Sequence, residues 1–274
     1  KREKENIKLI EIMLKAILYY ILLIAEFVIT IFFGGFLAGL YMALGANKET
    51  CENQETFMNN MTPFVIVVML LMILIIWGTF SFYKFSKFSL GKVVPAQKWK
   101  AMLYTTLPIL GFTLVSYSAM NYFHLNFLPK EMANMGYLSF LPFALMGSFI
   151  SAYVFYGAIQ EELIRCGKKK WVQLLTLILM MLPSSLIAVT TNGDISLNLT
   201  LLGIISTCYS FWIYGKTRSS IILFVLYFCS NLVPYKIESP ALSLALMFIG
   251  VLLTIYGFVA LRKNLPTFIK EEEI

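Results

Sequence analysis

Eight stretches of this chain are apolar for about as long as a bilayer crossing requires, and nearly every charge lies between them. They run roughly over residues 10–44, 63–82, 101–122, 137–164, 171–191, 195–214, 219–233 and 241–261. A membrane-spanning helix needs about 20 predominantly apolar residues, and hydrocarbon tolerates no unsatisfied backbone, so helices are the expected form. Charged residues make up only 14% of the 274, against about 25% in soluble chains. The expectation is an all-α, polytopic integral membrane domain over 1–274, with about eight transmembrane helices around a polar inner cavity. The first stretch exceeds one perpendicular crossing, which predicts a tilt or an interfacial start. The seventh is short, which suits a helix buried among others. The first is read as a retained span and not as a cleaved leader.

The basic residues orient this arrangement. Of the 22 lysines and arginines, all but Lys48, Lys130 and Lys236 fall at the termini or in alternate connections. That asymmetry is the positive-inside pattern, and it predicts a multi-pass protein of the cell membrane with both termini cytoplasmic. The net charge of +7 is thereby a topology signal, which removes the nucleic-acid reading; the basic face is suited to anionic lipid. An acidic, Asn-rich exterior loop is expected over about 47–62, and the basic segment 83–100 reads as an interfacial connector. Cys51, Cys166, Cys208 and Cys229 have no metal-ligand spacing. With His124 as the single histidine, no histidine-rich zinc site is available, and no metal or cofactor is expected.

Polar groups inside apolar runs are costly and mark candidate sites. The densest group is Gln160-Glu-Glu-Leu-Ile-Arg165, at the end of the fourth stretch. Glu161 and Arg165 are four apart in the favoured acid-first order, so an ion pair at a helix end is one reading and a reactive carboxylate the other. Glu26 sits alone in the middle of the first stretch. Pro183 predicts a kink in the fifth, followed by Ser184, Ser185 and Asn192. Tyr227 and Asn231 share one face of the seventh, a spacing that also fits an interhelical hydrogen bond.

In this order and spacing the polar groups resemble the CAAX protease and bacteriocin-processing family, the Abi or lysostaphin-resistance group of polytopic membrane glutamate proteases. The likeness covers about 137–236. The family pattern is Glu-Glu-x-x-x-Arg, then Phe-x-x-x-His, then His-x-x-x-Asn. Anchoring on Arg165 puts Gln160 and Glu161 at the glutamates, and Ala188 and Asn192 at the Phe and His positions. Tyr227 then takes the second histidine position, and Asn231 keeps the asparagine. A second register pairs Glu161 with Glu162 and brings Arg165 one residue too close.

The resemblance implies catalytic-position residues Glu161, Glu162, Arg165, Asn192, Tyr227 and Asn231. In the family the glutamate activates water, and the other groups hold that water and the oxyanion. Neither Asn nor Tyr shuttles a proton near neutral pH as histidine does, so the resemblance implies a catalytically lapsed member. Such a member would act as scaffold or regulator of another membrane protein, for example a single-span cell-envelope enzyme. The enzymatic alternative is an intramembrane glutamate-type endopeptidase. A transporter using Glu26 and Glu161 is disfavoured by the lack of an inverted repeat. For a partner helix, Gly35 and Gly39 offer a small-xxx-small stripe on the first span.

Overall fold

The computed structural model describes residues 14–15, 17–30, 32, 34–36, 39, 54–123, 137–165, 167, 169–180, 196–233, 237 and 239–269. Most of them are helical, segment 83–94 is not, and an isolated bridge joins Val93 to Ile269. The helices are α1 (Ile17–Phe36), α2 (Gln54–Phe82), α3 (Lys98–Tyr122) and α4 (Tyr137–Ile150). A π-helical stretch, Ser151–Gln160, continues α4 into the short α5 (Glu161–Arg165). Then follow α6 (Lys170–Met180), α7 (Ser196–Thr217), α8 (Ser220–Asn231) and α9 (Pro240–Phe268).

Among the described residues, four helices are long and apolar enough to cross a membrane: Ile17–Phe36, Pro95–Tyr122, Leu141–Arg165 and Pro240–Phe268. The chain is a membrane protein with transmembrane helices. Each of the eight apolar stretches contains a described helix, but the described parts of several fall below spanning length, with Ile66–Phe82, Lys170–Met180 and Ser220–Asn231 all shorter. The helix of the second stretch starts at Gln54, inside the segment expected as a loop over 47–62.

Two packing arrangements organise the bundle. The most extensive pairing joins α3 to α9, far apart in sequence. It depends on the absence of side chains: a Cβ at Gly111 would stand 2.5 Å from the Gly250 carbonyl, and one at Gly257 would stand 2.7 Å from Cδ of Pro108. Without a hydrophobic driving force between helices in lipid, such close backbone approach is what holds them. The second arrangement surrounds α8, which contacts α3, α4, the π stretch and α7. Its residues Ile222, Leu223 and Leu226 are fully enclosed, which explains how so short a helix persists away from lipid.

The segment between α2 and α3 is more than a surface connector. It threads back into the bundle, burying Ser86 and Val93. The Lys92 N–H donates to the Thr217 carbonyl at 2.7 Å, and the Val94 N–H donates to the Phe268 carbonyl at 2.9 Å. The Ser219 hydroxyl donates to the Ser89 carbonyl (3.1 Å), and the Ser220 hydroxyl donates to the Lys87 carbonyl (2.9 Å). This strap ties the α7–α8 turn and the end of α9 together.

Its Ser86 also accounts for the π stretch. The hydroxyl donates to the Tyr153 carbonyl at 2.7 Å, the acceptor that an α-helix would offer to the Gly157 N–H. A Cβ on Gly157 would lie 2.6 Å from the same hydroxyl oxygen. A side chain inserted beside the i→i−4 ladder at a glycine opens that ladder, and here the helix widens to i→i+5 bonding.

Candidate functional site

The π stretch delivers its charged end against α7. Gln160 is fully buried, with its amide donating to the Phe211 carbonyl at 3.3 Å. Next to it, Glu161 Oε2 accepts from Arg218 Nη1 at 2.9 Å and from the Tyr214 hydroxyl at 3.1 Å. Its other oxygen lies 3.5 Å from Arg165 Nε. Glu162 stands 3.9 Å from both Arg165 Nη1 and Lys15 Nζ. The intrahelical Glu161–Arg165 pair anticipated from the sequence is therefore present, but it is the looser one. The short, charge-assisted bond goes to Arg218, 57 residues away.

Arg218 follows α7 with φ +52°, a left-handed conformation that a non-glycine residue adopts at a cost of about 1–2 kcal/mol. The turn is shaped by the helix end: the Arg218 N–H donates to the Tyr214 carbonyl at 2.7 Å, as at an αL helix cap. Gly91 of the strap lies directly against it. That residue has φ +59°, and a Cβ there would come within 2.1 Å of the Arg218 carbonyl oxygen. The only sequence signal for Arg218 was its place in the basic turn Gly215-Lys-Thr-Arg-Ser-Ser220; nothing local pointed to its partner.

Tyr227 and Asn231 do project from α8 toward the fourth span, but at other depths. Tyr227 meets Tyr156 hydroxyl to hydroxyl at 3.0 Å, with the rings stacked at 6.1 Å. Asn231 donates to the Ser148 hydroxyl at 3.1 Å. Ser148 precedes Glu161 by 13 residues on one continuous rod, so Asn231 sits roughly 15–20 Å along the axis from the carboxylates. These two residues and Glu161 do not meet at one point. The polar cavity expected between the fourth, fifth and seventh stretches draws one wall from 181–191, which lies outside the described residues. Asn192, with Pro183, Ser184, Ser185 and Ala188, lies outside the described residues, as do His124, Cys51 and Cys166.

On α1, Glu26 is buried, and its Oε2 has no hydrogen-bond partner. It follows Lys15 by 11 residues, about 16 Å of helix, which separates it from the Glu161 cluster. Gly34 packs onto Val68, whereas Gly35 and Gly39 face open space with nothing within 4 Å of a Cβ position. The glycine that serves the internal packing of α1 is thus the one beside the expected stripe, and the stripe itself points outward.

Among the described residues, the Glu161 carboxylate is surrounded by Arg218, Tyr214 and Arg165, and no imidazole stands beside it. No family model matches the chain, and no curated protein or solved structure shows a match to it either.

Proposed function

We propose that this chain is an eight-span membrane scaffold or regulator, a catalytically lapsed relative of the CAAX protease and bacteriocin-processing group. Its termini and strap would face the cytoplasm, where the basic residues concentrate. The observation that carries the reading is the bond from Arg218 to Glu161 at 2.9 Å. A carboxylate whose oxygens are already engaged by a guanidinium and a tyrosine hydroxyl has fewer lone pairs free to act as a general base. Such a base also has to reach the proton it removes, and Tyr227 and Asn231 are engaged by Tyr156 and Ser148. Support for a docking role comes from Gly35 and Gly39, whose Cβ positions are open. Small residues on an exposed span allow the close approach that helix association in lipid depends on. The partner class is a membrane protein contributing one helix, such as a single-span enzyme of the cell envelope.

Photo-crosslinking in native membranes tests this. A crosslinker at Gly39 is expected to form an adduct with a membrane protein, one at Tyr227 is not, and Gly35→Leu is expected to abolish the first. Adducts at Tyr227 together with an accumulating cleaved fragment would replace the scaffold reading with the endopeptidase one.

A further inference from the structure

The fourth span is gripped at one residue, Tyr153. Its carbonyl accepts from the Ser86 hydroxyl at 2.7 Å, and its own hydroxyl meets Ser81 Oγ at 2.7 Å. The rings of Phe80 and Phe88 pack on it at centroid distances of 6.3 and 6.0 Å. All four partners belong to the end of α2 or to the strap. Beyond this grip, the charged tip is held in a locally costly position. Arg218 sits in the left-handed region at φ +52°. Among the described residues, no group pairs with Gln160 Oε1 or Arg218 Nε, although both atoms are buried. Such geometry persists only where its surroundings over-determine it, and short π-helical stretches concentrate at functional sites. Here the strap supplies the constraint at two points five residues apart in the chain: Ser86 against the π stretch and Gly91 against Arg218.

We propose that the strap is a switch with two positions. With Ser86 seated at the Tyr153 carbonyl, the fourth span stays wound wide and presents Glu161 to Arg218. With Ser86 withdrawn, the Gly157 N–H recovers that carbonyl as in a regular α-helix, the stretch rewinds, and Glu161 leaves Arg218. The release is concerted, because the same retreat takes Gly91 away from the Arg218 carbonyl. The handle is the end of α9. The Val94 N–H donates to the Phe268 carbonyl at 2.9 Å, and Val93 is bridged to Ile269, so a displacement of that end draws on the strap. An element with two discrete arrangements, biased from a distant contact, is the physical requirement for regulation. The switch rests on the regulator reading for its purpose and on the strap alone for its geometry, so the docking stripe on α1 and the switch can fail separately.

The test measures spin–spin distances in the full chain, reconstituted in lipid nanodiscs. Genetically encoded labels stand at Arg165, 66% exposed just past the π stretch, and at Leu103, exposed on α3. Ser86→Ala removes the wedge, and Gly157→Ala excludes it, since a Cβ there would lie 2.6 Å from the Ser86 hydroxyl oxygen. Both variants are expected to move the Arg165 label to one common new distance. Each residue taken out of the excess winding turns the tip by about 100°, which on a helix about 10–12 Å across carries a side chain up to about 8 Å. A label at Leu141, exposed ahead of the π stretch, should keep its distance to Leu103. Ser81→Ala frees only the Tyr153 hydroxyl and should keep the unsubstituted distance at Arg165. If Gly157→Ala does not fold, Ser86→Ala carries the test by itself. An unchanged Arg165 distance in Ser86→Ala would overturn the switch. An equal shift in Ser81→Ala, or an equal shift of the Leu141 label, would overturn it too, because the whole contact would then have loosened without any rewinding.

Discussion

Replacing Gly91 with alanine should loosen the charged cluster without touching any of its side chains. The residue has φ +59°, so a side chain costs about 1–2 kcal/mol in backbone strain alone. In addition, the new Cβ would stand 2.1 Å from the Arg218 carbonyl oxygen and 2.5 Å from that of Thr217, whereas ordinary contacts begin near 3.4 Å. Relief requires the strap to retreat by about 1.3 Å, and overpacking of this kind costs roughly 1–3 kcal/mol. The Lys92–Thr217 hydrogen bond, now 2.7 Å, would stretch out of range and forfeit about 1 kcal/mol more. The sum is roughly 3–6 kcal/mol of destabilisation. Gly167 supplies the control, since it has φ +65° but nothing within 4 Å of its Cβ position. Gly167→Ala should cost only the strain, about 1–2 kcal/mol. Reversible unfolding in mixed micelles titrated with denaturing detergent compares the two. Glu161→Gln should also cost less in the Gly91→Ala background, because Arg218 is no longer held in place. Equal losses for the two glycine variants, with Glu161→Gln unaffected by background, would refute the close approach of strap and turn.

Gly111→Ala is expected to destabilise the α3–α9 pair by about 1–3 kcal/mol, whereas Gly147→Ala, with an open Cβ position, should be neutral or stabilise by up to about 1 kcal/mol; the same unfolding assay reads both. Arg218→Gln should cost about 1.5–3 kcal/mol by removing a hydrogen bond to a charged group, more than Arg165→Gln in plain detergent, because the latter lacks a short bond. Asn231→Ala and Glu161→Gln should add within about 0.5 kcal/mol, as befits distant sites, and a large coupling would place them in one constellation after all. A topology reporter within 84–100 should read cytoplasmic and one near Gln54 exterior, with a discordant result undoing the eight-span proposal.

What could be read from the chain alone was whatever depends on local composition. Apolar stretches such as 101–122 and 241–261 had to be helices in lipid, and each contains one. The pairing of Glu161 with Arg165 followed from a four-residue spacing, and Tyr227 and Asn231 make the interhelical contacts their shared face suggested. The features that escaped depend on contacts between distant segments. Glu161 finds its closest partner 57 residues on, and Gly111 reads as an ordinary helix glycine until Gly250 is set beside it. The strap 83–94 has neither helical nor strand periodicity, since its order comes from backbone and serine hydrogen bonds to three other elements. That Gly34 and not Gly35 serves the internal packing of α1 likewise depends on Val68 of another helix.

The π stretch gives the fourth span two independent facings. In a regular helix each residue turns about 100°, so the orientation of Ser148 would dictate that of Glu161. Ten residues of wider winding break this dependence: the apolar half is clocked to α8 and the charged tip to α7. Ser86, wedged at Tyr153 and Gly157, sets the offset between the two, and it belongs to the same strap whose Gly91 supports Arg218. One short segment therefore aims the acid and holds the base that receives it. Removing a single residue from 151–160 would let the rod rewind and swing Glu161 by about 100° away from Arg218, with every apolar contact of α4 left in place.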